Sequence, residues 1–269
     1  MQPETLSRLA ELVKHIADRE LPDHFGSGAA TRKADGSLVT PFDQRMQDAL
    51  AIALEQAWPE YALLGEEMDG AAQQEALSRR ARGVWCVDPL DGTTNFAGGV
   101  PYYAVSVALL RRDQVEMGIV YDPARRECFA AARGQGAWCN GAPLRAGNAS
   151  VTLSQALALI DFKRLDPLLA RRLAVEPPYK SQRSFGAVAL DWCWLAAGRC
   201  HVYLHGRQKL WDYAAGCLIL QEAGGQAVTL QGETVYRPEL TGRSAAAALD
   251  PGLFRQWAAW LEIPRGLQG

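Results

Sequence analysis

The chain has 269 residues, 48% of them hydrophobic and 22% charged, with a formal net charge of −2. That composition belongs to a globular protein with a substantial core and excludes disorder, collagen-like repeats and coiled coils. The slight acidity argues against nucleic acid as the main partner, because binding many phosphates takes a basic excess.

Six cysteines (Cys86, Cys128, Cys139, Cys193, Cys200 and Cys217) form no CxxC pair and read as buried, reduced thiols. No window approaches the roughly 20 apolar residues that cross a bilayer. Met1 to Glu20 has charged residues among Leu6, Leu9, Leu12, Val13 and Ile16, which is helical spacing and not a signal peptide. The expectation is a cytoplasmic protein with no membrane partner.

The first helix is expected to end near Pro22, before a loop at Gly26-Ser27-Gly28 that carries Arg32, Lys33, Asp35 and Gly36. Thr40 as cap and Pro41 at the first helical position begin a second helix, which stops near Trp58-Pro59. Ala62 to Leu64 and Val84 to Val87 read as strands, each delivering acids at its end: Glu66-Glu67 and Asp88. Val105 to Leu110, Val115 to Tyr121 and Cys128 to Ala132 form a meander closed by the turn dipeptide Asn140-Gly141. Helices then follow near Asp166 to Leu173, Val188 to Ala197 and Asp212 to Glu222, with strands at His201 to Leu204 and Gln226 to Leu230. The pattern predicts an α+β fold built in layers. A composition shift near 146–151 is where two half-domains would meet.

Asp88 and Asp91 are separated by a proline that holds Asp88 extended while the next turn swings Asp91 to the same side. Two carboxylates facing one point repel unless a cation lies between them, and magnesium, which prefers oxygen ligands, resolves that cost. Gly92-Thr93-Thr94 follows directly. A short helix starting at Thr93 would offer backbone N–H groups and hydroxyls to a phosphate beside the cation.

The run Asp88-Pro89-Leu90-Asp91-Gly92-Thr93-Thr94-Asn95-Phe96 resembles the signature of the inositol monophosphatase family, which comprises magnesium-dependent, lithium-sensitive phosphatases. Gly65-Glu66-Glu67 is similar to that family's upstream acidic motif. Trp211-Asp212-Tyr213-Ala214-Ala215-Gly216, followed by Glu222-Ala223-Gly224-Gly225, is similar to its second signature. Read alone, Glu66-Glu67 is a solvated loop and Asp212 a helix cap. The likeness spans roughly Lys33 to Gly225, including Gly134 to Gly141. It implies one layered αβαβα sandwich of the inositol monophosphatase and fructose-1,6-bisphosphatase type, a homodimer, and a small phosphorylated metabolite as partner.

The resemblance also implies site roles. Glu66, Asp88, the carbonyl of Leu90 and Asp91 would hold a first magnesium, with Asp88, Asp91 and Asp212 holding a second. Water would be activated through Thr93 and Glu66, and Asp43 would orient water or support a third ion. Gly92, Thr93 and Thr94 would meet the phosphate, and Arg183, Gly186, His205 and Asp212 would line the substrate side. Relatives that hydrolyse inositol monophosphate commonly carry glutamate seven residues before the aspartate of the second signature, where this chain has His205. A histidine cannot supply an acceptor-only carboxylate, and Arg207, Lys209 and Arg183 are candidates to hold a second anionic group. Three functions stay open: a monoesterase for small polyol or sugar phosphates, a bisphosphatase for fructose 1,6-bisphosphate or 3′-phosphoadenosine 5′-phosphate, and a regulatory protein on the same fold.

Overall fold

The computed structural model describes residues 3–21, 30–32, 38–146 and 151–264. The expected helix end at Pro22, the Gly26-Ser27-Gly28 loop with Lys33, Asp35 and Gly36, and residues 147–150 of the composition shift lie outside them. Apolar residues at helical spacing make α1 (Pro3–Glu20), which buries Leu9, Val13, Ile16 and Ala17 along one side. β1 (Thr31–Arg32) and β2 (Leu38–Val39) form a small antiparallel pair before α2 (Pro41–Ala57). At the start of α2, Thr40 caps the helix, and its N–H donates to Asp43 Oδ2 at 2.7 Å, completing a capping box.

The chain continues through β3 (Ala62–Gly65), α3 (Gly70–Ser78), β4 (Val84–Asp91), α4 (Thr93–Ala97), β5 (Ala104–Arg111), β6 (Gln114–Asp122), β7 (Glu127–Ala132), β8 (Gly136–Cys139) and β9 (Ala142–Leu144). These strands make a seven-stranded sheet in sequential order, with β3 parallel to β4 and the other pairs antiparallel. Asn140 and Gly141 turn the β8–β9 hairpin at φ 48° and 81°, as that dipeptide predicts.

Next come β10 (Leu157–Asp161), α5 (Pro167–Val175), β11 (Ser181–Arg183), α6 (Val188–Ala196), β12 (Val202–Gln208), α7 (Leu210–Glu222), β13 (Gln226–Val228), β14 (Arg243–Ala248) and α8 (Pro251–Trp260). The second sheet has the order β11-β10-β12-β14-β13, with β10 parallel to both of its neighbours.

Strand alternation assembles the layers. Trp85, Val87, Val105 and Val107 pack with α1 and α2, whereas Val84, Cys86, Ala104 and Ala108 pack with α6 and α7. On the second sheet, Leu159 and Tyr203 face the α6–α7 layer, and Ala158, Ile160, Val202 and Leu204 face α5 and α8. The result is the expected αβαβα order. All six cysteines are free, four of them buried and Cys139 and Cys217 half-buried. Among the described residues no helix is long and apolar enough to cross a membrane.

Several elements depart from the sequence reading, which places Arg32 in a loop where β1 lies and does not anticipate β2, α3, β9, β10, β11, β14 or α8. β14 is a run of alanines after Arg243-Ser244, with weak strand preference, yet it pairs on both sides with β12 and β13. Sheet pairing there overrides local propensity. The strand expected at His201 to Leu204 instead runs from Val202 to Gln208, so His205 lies within it.

Candidate active site

All eight residues of β4 are buried, and its end carries Asp88 and Asp91 inward at 2% and 8% exposure. Pairing with β5 is regular through Asp88 opposite Ser106, then shifts before Asp91 opposite Ala104. Pro89 and Leu90 fill this irregularity, which re-aims the strand end. Gly92 follows at φ 88°, where a Cβ would lie 3.0 Å from both the Tyr102 carbonyl oxygen and the Ala187 Cβ. Glycine meets both requirements there, the left-handed backbone and the close approach.

Each carboxylate is anchored by a backbone donor. Asp88 Oδ1 accepts from the Leu90 N–H at 3.0 Å, and Asp91 Oδ2 accepts from the Ala189 N–H at 2.6 Å. Asp212 Oδ2 accepts from the Lys209 N–H at 2.8 Å at the start of α7. Thus the Ala187-Val188-Ala189 segment, whose side chains are all apolar, contributes polar chemistry through its backbone. Glu66, half-buried just past β3, donates its N–H to the Val87 carbonyl at 3.1 Å. Gln73 Nε2 donates to the carbonyls of Gly65 and Glu66 at 3.0 and 3.1 Å, while Gln47 Oε1 accepts from the Glu67 N–H at 2.8 Å.

Thr93 joins two parts of the chain. Its Oγ1 lies 2.9 Å from Asp43 Oδ1 and 3.0 Å from the Leu90 carbonyl oxygen. Asp43 is 1% exposed, and its Oδ2 accepts from both the Thr40 N–H and the Thr40 hydroxyl, the latter at 2.6 Å.

The acids share one electrostatic field. Burial first, then the charges of Glu66, Asp91 and Asp212, push the Asp88 carboxyl well above the usual range. Burial and then Asp212 do the same to Asp91. Asp212 is pushed up to about 7, by burial first and Glu66 next. Like charges held in a poorly solvated pocket favour protonation or a bound cation. Among the described residues no three His, Cys, Asp or Glu side chains are drawn tightly enough to grip an ion as they stand. A cavity of about 1160 Å³ at the β3 edge, lined by Tyr61, Met68, Trp85 and Arg111, contains none of these acids.

The residues expected on the substrate side have partners within the protein. His205 is 3% exposed and faces inward: its Nε2 lies 3.1 Å from Asp161 Oδ2, and its Nδ1 accepts from the Arg207 N–H at 3.1 Å. Both ring nitrogens are therefore occupied within the protein, because parallel pairing of β10 and β12 sets Asp161 opposite His205. Arg183 turns back on its own strand, its Nη1 donating to Ser181 Oγ and the Gln182 carbonyl, both at 2.7 Å. Gly186 is exposed at φ 83° and packs against the Asn95 side chain. Thr94 is exposed beside Thr93.

The sequence reading misses Gln47, Gln73, Asn95 and Asp161. Asn95 Nδ2 ties the turn to the substrate-side segment by donating to the carbonyls of Tyr102 and Phe185 at 2.8 and 2.7 Å. Its place inside the Asp88 to Phe96 run was the available signal; for the two glutamines there was none.

Layer order and buried acids around a Gly-Thr turn define a layered αβαβα protein with a candidate cation site. The profile of the inositol monophosphatase family matches residues 4–260. The chain is 34% identical over 222 residues to the Nus factor SuhB of Pasteurella multocida, covering 81% of this chain and 80% of that one. It is also 34% identical over 223 residues to an inositol-1-monophosphatase of Mesorhizobium japonicum, covering 80% and 82%. Among solved structures, SaIMPase-II, a staphylococcal protein with inositol monophosphate bound, superimposes with a TM-score of 0.77 at 27% identity over 96% and 94% of the chains. The chain belongs to the inositol monophosphatase family.

Proposed function

We propose that this protein is a magnesium-dependent phosphatase that hydrolyses the phosphate monoester of a small polyol or sugar. The observation that carries the reading is that β4 brings buried Asp88 and Asp91 to one end, with Glu66 bonded through its N–H to the Val87 carbonyl and the Thr93 hydroxyl held by Asp43 alongside. The donor set fits a hard divalent cation, being all oxygen and rich in buried negative charge. Glu66, Asp88, the Leu90 carbonyl and Asp91 would hold one ion, and Asp88, Asp91 and Asp212 a second. When bound, magnesium supplies the positive charge that polarises the phosphoryl group and favours the departing oxygen.

The chain's own residues organise the rest. Asp43, fixed by Thr40, holds the Thr93 hydroxyl in one orientation, so Thr93 can take a proton from attacking water as it passes its own to Asp43 Oδ1. The backbone around Gly92 and Thr93 approaches the phosphate without side-chain obstruction. Glu66 is the second candidate base, placed by Gln73 through its backbone carbonyl, while Gln47 holds the N–H of the adjacent Glu67.

Relatives named Nus factor SuhB support a second reading, a regulatory protein on this fold. A chain that only docked a partner would not need several like-charged, poorly solvated carboxylates around one point, so catalysis is favoured. The test is phosphate release from a panel of inositol, fructose, histidinol and adenosine phosphates with magnesium. Release that depends on magnesium supports the proposal, and silence across the panel favours the regulatory reading.

A further inference from the structure

Lys163, Arg164, Arg183, Arg207 and Lys209 are cations on the strands and turns around the approach to Asp212, and their surroundings differ. Arg183 is engaged by its own strand, as described above. Arg207 lies against Gly242, where a Cβ would come within 2.9 Å of its Nε. Lys209 Nζ stands 6.0 Å above the Trp211 ring. Arg164 is exposed, and its guanidinium makes no hydrogen bond or ion pair among the described residues.

Arg164 is nevertheless firmly mounted. It ends the one-turn 3-10 segment Phe162–Arg164 that follows β10. The Lys163 N–H donates to Asp161 Oδ1 at 3.0 Å, and the Leu165 N–H donates to the Phe162 carbonyl at 3.3 Å. Gly206 of β12 packs so closely on the Arg164 carbonyl that any side chain there would overlap it. The natural local partner for the guanidinium would be Asp161. Both oxygens of Asp161 are already engaged, Oδ1 by the Lys163 N–H and Oδ2 by His205 Nε2. Asp161 faces the Lys163 N–H and His205, and no hydrogen bond or ion pair joins it to the Arg164 guanidinium among the described residues. Because β10 and β12 run parallel and Gly206 packs on the Arg164 carbonyl, the turn that carries Arg164 stands at the sheet end from which Lys209 leads into α7 and Asp212.

We propose that Arg164 is a specificity-determining residue that receives a second anionic group, a phosphate or carboxylate, on the alcohol portion of the substrate. The inference rests on the phosphatase reading and narrows its substrate class to doubly anionic phosphate esters. A guanidinium presents paired donors that match either group in a fork.

The experiment compares wild type, Arg164→Ala and Arg164→Lys on fructose 1,6-bisphosphate, 3-phosphoglycerate and glycerol 2-phosphate with magnesium. Arg164→Ala should raise KM by about tenfold or more on at least one of the first two, relative to its effect on glycerol 2-phosphate, with kcat little changed. Loss confined to the bisphosphate assigns a phosphate, and loss confined to phosphoglycerate assigns a carboxylate. Arg164→Lys should recover part of the loss. Calorimetry of fructose 1,6-bisphosphate with metal-free protein supplies a readout apart from turnover, and Arg164→Ala should weaken that binding. Equal effects of Arg164→Ala on all three esters, or none, overturn the proposal. If wild type hydrolyses nothing but binds the bisphosphate through Arg164, the phosphatase reading fails and the anion subsite stands.

Discussion

Thr93 and Asp43, fifty residues apart, are joined by a hydrogen bond of 2.9 Å between the Thr93 hydroxyl and Asp43 Oδ1. Asp43 cannot swing away, because Thr40 holds its other oxygen through both N–H and hydroxyl. A helix-capping residue thereby sets the direction of a hydroxyl at the carboxylate site. Replacing it with Asp43→Asn keeps an acceptor for Thr40 but removes the charge. This variant should lower kcat by about a hundredfold and leave KM within a few-fold. Steady-state kinetics decide it, and an unchanged kcat would remove Asp43 from proton transfer.

Gly92→Ala should damage both fold and rate. Its φ of 88° is unfavourable for alanine, and the new methyl would press on the Tyr102 carbonyl and Ala187 at 3.0 Å. The expected stability loss is about 1 to 3 kcal/mol, read by denaturant titration. A loss below the resolution of that titration would mean that the turn can relax without cost.

The acids predict a pH dependence for the metal-free protein. Folding raises the Asp212 carboxyl from an ordinary 3.8 to about 7. An acid raised in this way favours the protonated folded state, so its contribution is complete below 3.8 and is lost as pH rises through about 7. Melting curves in chelator across that window should fall more steeply for wild type than for Asp212→Asn. Parallel curves would show that folding does not raise the Asp212 carboxyl.

Tyr102 tests the packing behind the site. Its hydroxyl donates to Asp191 Oδ1 at 2.8 Å, and burial, opposed by this bond, pushes Asp191 up to about 8. Tyr102→Phe strands a buried carboxyl and should cost about 1 to 3 kcal/mol of stability, measured in denaturant. A neutral effect would indicate that Asp191 finds another donor.

The parts of the site that were legible in the sequence are those whose causes are local. Thr40-Pro41 starts α2 because the cap and the proline act on the adjacent turn, and Asp88 to Phe96 reads as a site because proline and glycine bend one short run. The inward direction of His205 was not legible for the opposite reason. Its direction depends on a parallel register with Asp161, a partner on a strand the sequence pattern did not reveal. The same limit hid β14, where small residues are held by neighbours on both sides, and Gln47 and Gln73, whose value lies in reaching a distant backbone.

The central claim is that Asp91 and its neighbouring acids bind magnesium and that hydrolysis depends on it. Asp91→Asn keeps an oxygen for the Ala189 N–H while removing the charge. The direct measurement is phosphate release by wild type and Asp91→Asn across a magnesium titration, with melting curves to confirm that both are folded. The account predicts saturable, magnesium-dependent release by wild type and its loss in folded Asp91→Asn at every magnesium concentration. Wild-type turnover in full at saturating magnesium by Asp91→Asn would contradict it.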